Sequence, residues 1–203
     1  MPTGQEKEYT SDMTFDKERY AGEQYSKLFL TEETVREKMF DECIFTDCIF
    51  PGCRFERCRF KHCSFKKCDL SNIIPMNSEF HDVTFTDCKA IGIDWTRAQV
   101  FKEISFTDSL INYSNFTFRK LLNIVIKKCE AKDVSFVEND LTGANFRYTD
   151  FENATFYKTN LTEVDFTGAV NYAIDVNNNT FKKTRFSLPE ALSLLNGLDI
   201  IIE

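Results

Sequence analysis

Histidine, tryptophan, proline and glycine are all scarce in this 203-residue sequence, at two, one, four and seven residues. The two histidines, His62 and His81, cannot furnish a histidine-rich metal centre, and no Ser-His-Asp or Cys-His set can be built around them. The glycines include no phosphate-loop spacing; Gly143 and Gly168 stand alone among polar neighbours. No stretch approaches the roughly 20 consecutive apolar residues of a membrane-spanning helix. The opening MPTGQEKEYTSDM is polar and charged, so no secretory leader is expected. These absences argue against an enzyme, a cofactor and a membrane role. They favour a cytoplasmic protein whose eight cysteines are thiols.

What is abundant is phenylalanine, at 21 residues. From Phe40 to Leu70 the chain reads FDECIFTDCIFPGCRFERCRFKHCSFKKCDL. A Phe or Leu returns at every fifth residue, and from Cys43 onward a Cys stands two places before nearly every one. Five matches neither the 3.6 of a helix nor the 2 of a plain strand. Residues two apart on a strand, however, point the same way. Each Cys–Phe pair therefore reads as two inward side chains, followed by residues that face out and turn the chain. Coiling about a common axis buries every pair, which is a solenoid. A C-x₄-C spacing sends successive sulfurs inward from successive sides, so they do not converge on a metal. Cysteine here is a small apolar packing residue.

The large residue falls on multiples of five from Phe40 through Trp95 to Val100, broken at Pro75. It then slips by one and continues from Phe101 to Phe166, and after a defect at Asn171 it resumes through Phe186. A one-residue bulge near Phe101 absorbs the slip. The inward partner is mostly small, and the exceptions, Arg119 and Asn139, predict local distortion. Three regions follow. Residues 1–39 form a degenerate first coil or a short capping helix around TEETVREK. Residues 40–186 form the regular repeat. Residues 187–203 form a C-terminal helix and apolar strand, with Ser187 and Glu190 in capping-box spacing and Gly197 as the helix stop.

With its small–polar–Leu/Phe–polar–any units, cleanest in ANFRYTDFENATFYKTNLTEVDFTGA (Ala144 to Ala169), the sequence resembles the pentapeptide-repeat family. That resemblance implies an all-β fold, a right-handed quadrilateral parallel β-helix with four pentapeptides to a coil. Seven to nine coils stacked about 4.8 Å apart would form a rod. Stretches such as CKAIGIDWTRA, INYSNF, IKKCEA and the ending PEALSLLNGLDIIIE are similar to Qnr-type members. The implied role is DNA mimicry: binding DNA gyrase or topoisomerase IV and protecting them from quinolones. The projecting loop that many Qnr proteins carry near the phase slip is missing, because Ala98 to Ile111 has room only for the bulge. The other reading is an interaction scaffold of the same family with a different partner.

Net charge is −7, which disfavours direct binding of nucleic acid. Residues 135–181 hold seven acids against two bases. Those acids, Glu138, Asp140, Asp150, Glu152, Glu163, Asp165 and Asp175, are the candidate mimic surface, although a 20-residue coil distributes them over four faces. A basic belt, Arg54, Arg57, Arg59, Lys61, Lys66 and Lys67, reads as a solvated collar. The tail supplies Leu188, Leu192, Leu194, Leu195, Leu198, Ile200, Ile201 and Ile202, more apolar side chains than one end cap needs. Apart from Leu194, these form the candidate interface of a homodimer joined at its C-termini.

Overall fold

A computed structural model describes residues 15–198 and residue 200. Short parallel strands stack in register twenty residues apart. Arg19–Ala21 pairs with Met39–Asp41, which pairs with Arg59–Lys61, which pairs in turn with the start of Glu79–Thr86. A second file runs Gln24–Ser26, Ile44–Thr46, Ser64–Lys66 and the end of Glu79–Thr86. Bridges such as Phe29↔Ile49 and Arg54↔Ile74 extend the ladder on the remaining two sides. The coil is thus four-sided, and the fold is a parallel β-helix. For convenience the sides are named by the buried residue at their centre: the Phe60, Phe65, Phe50 and Phe55 faces, in chain order.

The pentapeptide explains the shape residue by residue. In Ser64–Lys66 the central Phe65 is buried and its neighbours face outward. Cys63, two places earlier, is buried on the same side. Lys67, two places later, turns the corner at φ 53°. Its amide donates to the Thr86 carbonyl one coil on, so the turn stays hydrogen-bonded. Aromatic rings stack along the axis, Phe40 on Phe60 at 4.9 Å and Phe60 on Phe80 at 4.9 Å.

All eight cysteines are free, buried thiols. The slot they occupy has a polar requirement as well as a size limit. Cys63 Sγ donates to the Phe40 carbonyl at 3.4 Å, and at equivalent slots Ser78 Oγ donates to Phe55 O and Thr149 Oγ1 to Ile126 O, both at 2.8 Å. A small side chain carrying a hydrogen on sulfur or oxygen fits this site best.

The slip falls at Gln99. Pairing changes from a separation of 20, as in Arg59↔Glu79, to 21 at Glu79↔Val100. The Ser78 carbonyl accepts from both Gln99 N–H (2.8 Å) and Val100 N–H (3.4 Å), as two residues oppose one at a bulge. Val100 is only half-buried and Phe101 takes the core position.

At the N-terminal side, residues 31–38 contain the strand Thr34–Arg36, paired with Arg54–Glu56, rather than a helix. At the other end the capping box does not form. Glu190–Gly197 is a 3₁₀ helix with Pro189 at its N-cap and no side-chain cap. Ser187 Oγ is already engaged, accepting from Gly168 N–H at 2.9 Å. Ser193 Oγ donates to the Tyr172 carbonyl at 3.1 Å, fastening the helix to the last coil. The apolar strand expected after it falls mostly outside the described residues, as do Ile201 and Ile202.

Candidate interaction surface

Among the described residues no three His, Cys, Asp or Glu side chains converge to hold a metal. No helix among them is long and apolar enough to cross a membrane. Chemistry therefore has to be sought on the outer surface, where side chains from successive coils line up.

Of the seven candidate acids, Glu163 and Asp165 line one pocket with Lys183 and Arg185, and Asp150 and Glu152 come together on the Phe50 face. Lys132 bridges them at 3.3 and 2.9 Å. Outside the Asp150–Glu152 pair, each acid is engaged by its own partner. Glu138 faces Lys158 at 4.0 Å, Glu163 faces Lys183 at 3.6 Å and Asp165 faces Arg147 at 3.7 Å. Asp140 accepts from Thr142 and Asn160, and Asp175 from the Asn177 amide. Sequence reasoning missed Glu130 and Asp133. Glu130 bridges directly to Asp150 in the ladder, and Asp133 N–H donates to the Glu152 carbonyl. Glu130, Asp133, Asp150 and Glu152 thus form an acidic patch around Lys132. The signal was the 20-residue spacing of Glu130 and Asp150.

The basic belt is also divided. Arg54, Arg57 and Arg59 pair with Glu56 (3.3 Å), Glu37 (2.7 Å) and Glu79 (2.6 Å). Lys61, Lys66 and Lys67 have no ion-pair partner among the described residues. His62 and His81 lie outside, against Asp41 and Glu103. Hydrogen bonding from Arg59 holds the Glu79 carboxyl below its usual range. A lowered folded-state pKa stabilises above the unfolded value and is lost as pH falls through the folded one. Arg59→Ala should therefore cost under about 1 kcal/mol at neutral pH, since the pair is solvent-screened. Thermal melts of the two proteins at pH 7 should differ slightly, and the difference should shrink as pH falls through the lowered folded-state value of Glu79.

At the tail, Leu188 is 77% exposed, and Leu192, Leu198 and Ile200 are also exposed. Leu194 packs inward against the core and Leu195 is half-buried. An apolar surface thus remains on the end of the rod.

Residues 38–116 match the pentapeptide repeat region, and residues 135–170 match the eight-copy pentapeptide repeats. The chain belongs to the pentapeptide-repeat family. Among solved structures, full-length QnrB1, described as a plasmid-mediated fluoroquinolone resistance protein, is similar to this pentapeptide-repeat protein. Identity is 20%, the TM-score is 0.57, and the match covers 90% of this chain and 100% of that one. A trypsin-treated QnrB1 variant aligns at 21% identity and a TM-score of 0.57, over 91% of this chain and 98% of that one. No curated protein sequence matches the chain.

Proposed function

We propose that this pentapeptide-repeat protein joins a second copy at its C-terminus and binds DNA gyrase or topoisomerase IV in place of DNA, protecting it from quinolones. The observation that carries this reading is the end-to-end correspondence of the rod with QnrB1, covering 90% of one chain and all of the other. The exposed Leu188, Leu192, Leu198 and Ile200 support the joint, because an apolar end of this kind is covered economically by its own twofold mate. In that dimer the acidic patch around Lys132 occurs twice, one on each rod. The action is non-catalytic and belongs in the cytoplasm.

A second reading, a scaffold for another partner, draws on the same surface. Five of the seven candidate acids already face a lysine or arginine, so much of the field a DNA-binding saddle would sense is locally cancelled.

The test is a gyrase supercoiling assay with ciprofloxacin. Full-length protein should restore supercoiling, and deletion of Leu188 to Glu203 should yield monomers that do not. Failure of a full-length dimer to protect or bind would remove the topoisomerase and favour the scaffold. A full-length monomer in sedimentation at tens of micromolar would remove the joint.

A further inference from the structure

On the Phe60 face the hydrogen-bonded ladder is interrupted at one place, an open seam, among the described residues. Bridges link Arg59 to Glu79 and Glu79 to Val100, and Lys120 links to Asp140 and Asp140 to Asn160. Between Val100 and Lys120 no bridge forms. The repeat would place Phe101 N–H on the Lys120 carbonyl and Glu103 N–H on the Leu122 carbonyl, as Glu42 N–H meets Lys61 O elsewhere on this side. No backbone hydrogen bond of this kind joins residues 100–104 to residues 120–124 among the described residues. Pairing resumes immediately afterward at Ser105↔Val125.

The cause is visible in the inward slots. Gln99 adds a residue to one coil, and Arg119 fills the small slot of the next. Its guanidinium reaches back to donate to the Ala98 carbonyl and lies 5.9 Å from the Phe101 ring centroid. Ile104 and Ile124 fill the following slots where Cys63 and Val83 stand in earlier coils. The gap thus coincides with the extra residue at Gln99 and the long side chain of Arg119, and pairing is regular again beside Ile104 and Ile124.

The result is a groove of about 360 Å³ lined by Phe101, Ile104, Leu121, Leu122 and Ile124, with Lys102 and Lys120 on its rim. Its single carboxylate, Glu103, is engaged by His81 at 3.1 Å. Neither lysine has an ion-pair partner among the described residues. Phe118, two residues before Lys120, is 71% exposed at φ 62°.

We propose that this seam is a docking groove for an extended acidic segment of a partner protein, anchored by one apolar side chain. Three features select that occupant. Free backbone donors and acceptors on both lips match a peptide main chain, as in recognition by strand addition. The aliphatic floor takes an apolar side chain, and the two free lysines favour carboxylates on either side of it. The groove lies away from the C-terminal joint and does not depend on a topoisomerase as partner.

The probe is a short capped peptide alternating aspartate with leucine, titrated into the full-length protein and followed by amide NMR shifts. Shifts should be confined to residues 100–104 and 118–124. They should weaken at least roughly tenfold in the double variant Lys102→Glu, Lys120→Glu, and be absent for a lysine–leucine peptide. Arg119→Ser, which restores a small slot, should close the seam and abolish binding. Without peptide, the Phe101, Glu103 and Lys120 amides should exchange with deuterium far faster than Leu121 and Asn123, which donate to Asp140 and Thr142. Slow exchange at those three amides would overturn the proposal. So would shifts centred on Leu188 and Leu192, equal binding of both peptides, or no binding at millimolar concentration.

Discussion

Phe136→Ala should lower stability by about 3–5 kcal/mol and the melting temperature by roughly 10 °C. The ring is fully buried. It stacks between Phe116 at 5.4 Å and 4° and Phe156 at 5.1 Å and 14°, and it also meets Phe146 and Phe151. Truncation removes the middle member of an axial stack, and the surrounding ladder hydrogen bonds hold the coils at a spacing that cannot collapse into the void. In a solenoid each coil contacts only its neighbours, so the defect also weakens coupling between the two halves. Tyr157→Ser, next to Phe156 but exposed, should cost well under half as much. Thermal melts of the two variants decide the matter: equal losses would mean that the inward and outward positions are wrongly assigned.

All eight thiols should stay silent toward a water-soluble thiol reagent in the native protein and react together on unfolding. None is more than 4% exposed. Burial pushes the thiols of Cys53 and Cys58 up to about 11, and those of Cys63 and Cys129 up to about 12. At neutral pH the nucleophilic thiolate is therefore almost absent at these sites. Cys88, lowered by the Cys68 thiol beside it, is equally closed to reagent. The reaction rate should follow the unfolding rate rather than the chemistry of any one cysteine. A fast phase accounting for one or two thiols in folded protein would overturn this.

The core was legible in the sequence because the five-residue recurrence of Phe and Leu is itself the core. Tyr20, Phe45, Trp95 and Phe166 are all buried where the spacing put them. The turns were harder to read. Nearly every fifth residue from Gly22 to Gly168 adopts a positive φ, yet glycine supplies few of these corners; Glu42, Arg57, Lys128 and Tyr148 do the same at φ 55°, 52°, 54° and 59°. Inter-coil amide bonds compensate for the left-handed strain, so the usual turn residues are not required. The acidic patch was obscured because charge was counted along the chain, whereas Glu130 and Asp150 are neighbours only through the 20-residue stack. The open seam had one hint, Arg119 in a small slot. That residue identity signals distortion, but it does not reveal that three ladder hydrogen bonds are lost.

The positive-φ corners have an evolutionary consequence. Many corner amides are tied to the next coil through the backbone, as in Glu37 N–H to Glu56 O and Asp133 N–H to Glu152 O, while the side chain points away from the core. Identity at these sites is thus nearly uncoupled from foldability. Substitutions there can accumulate with little penalty, and four ridges of side chains, repeating about every 4.8 Å along the rod, can drift independently of the interior. A lineage can exchange one binding partner for another by rewriting the ridges alone, with the phenylalanine column unchanged.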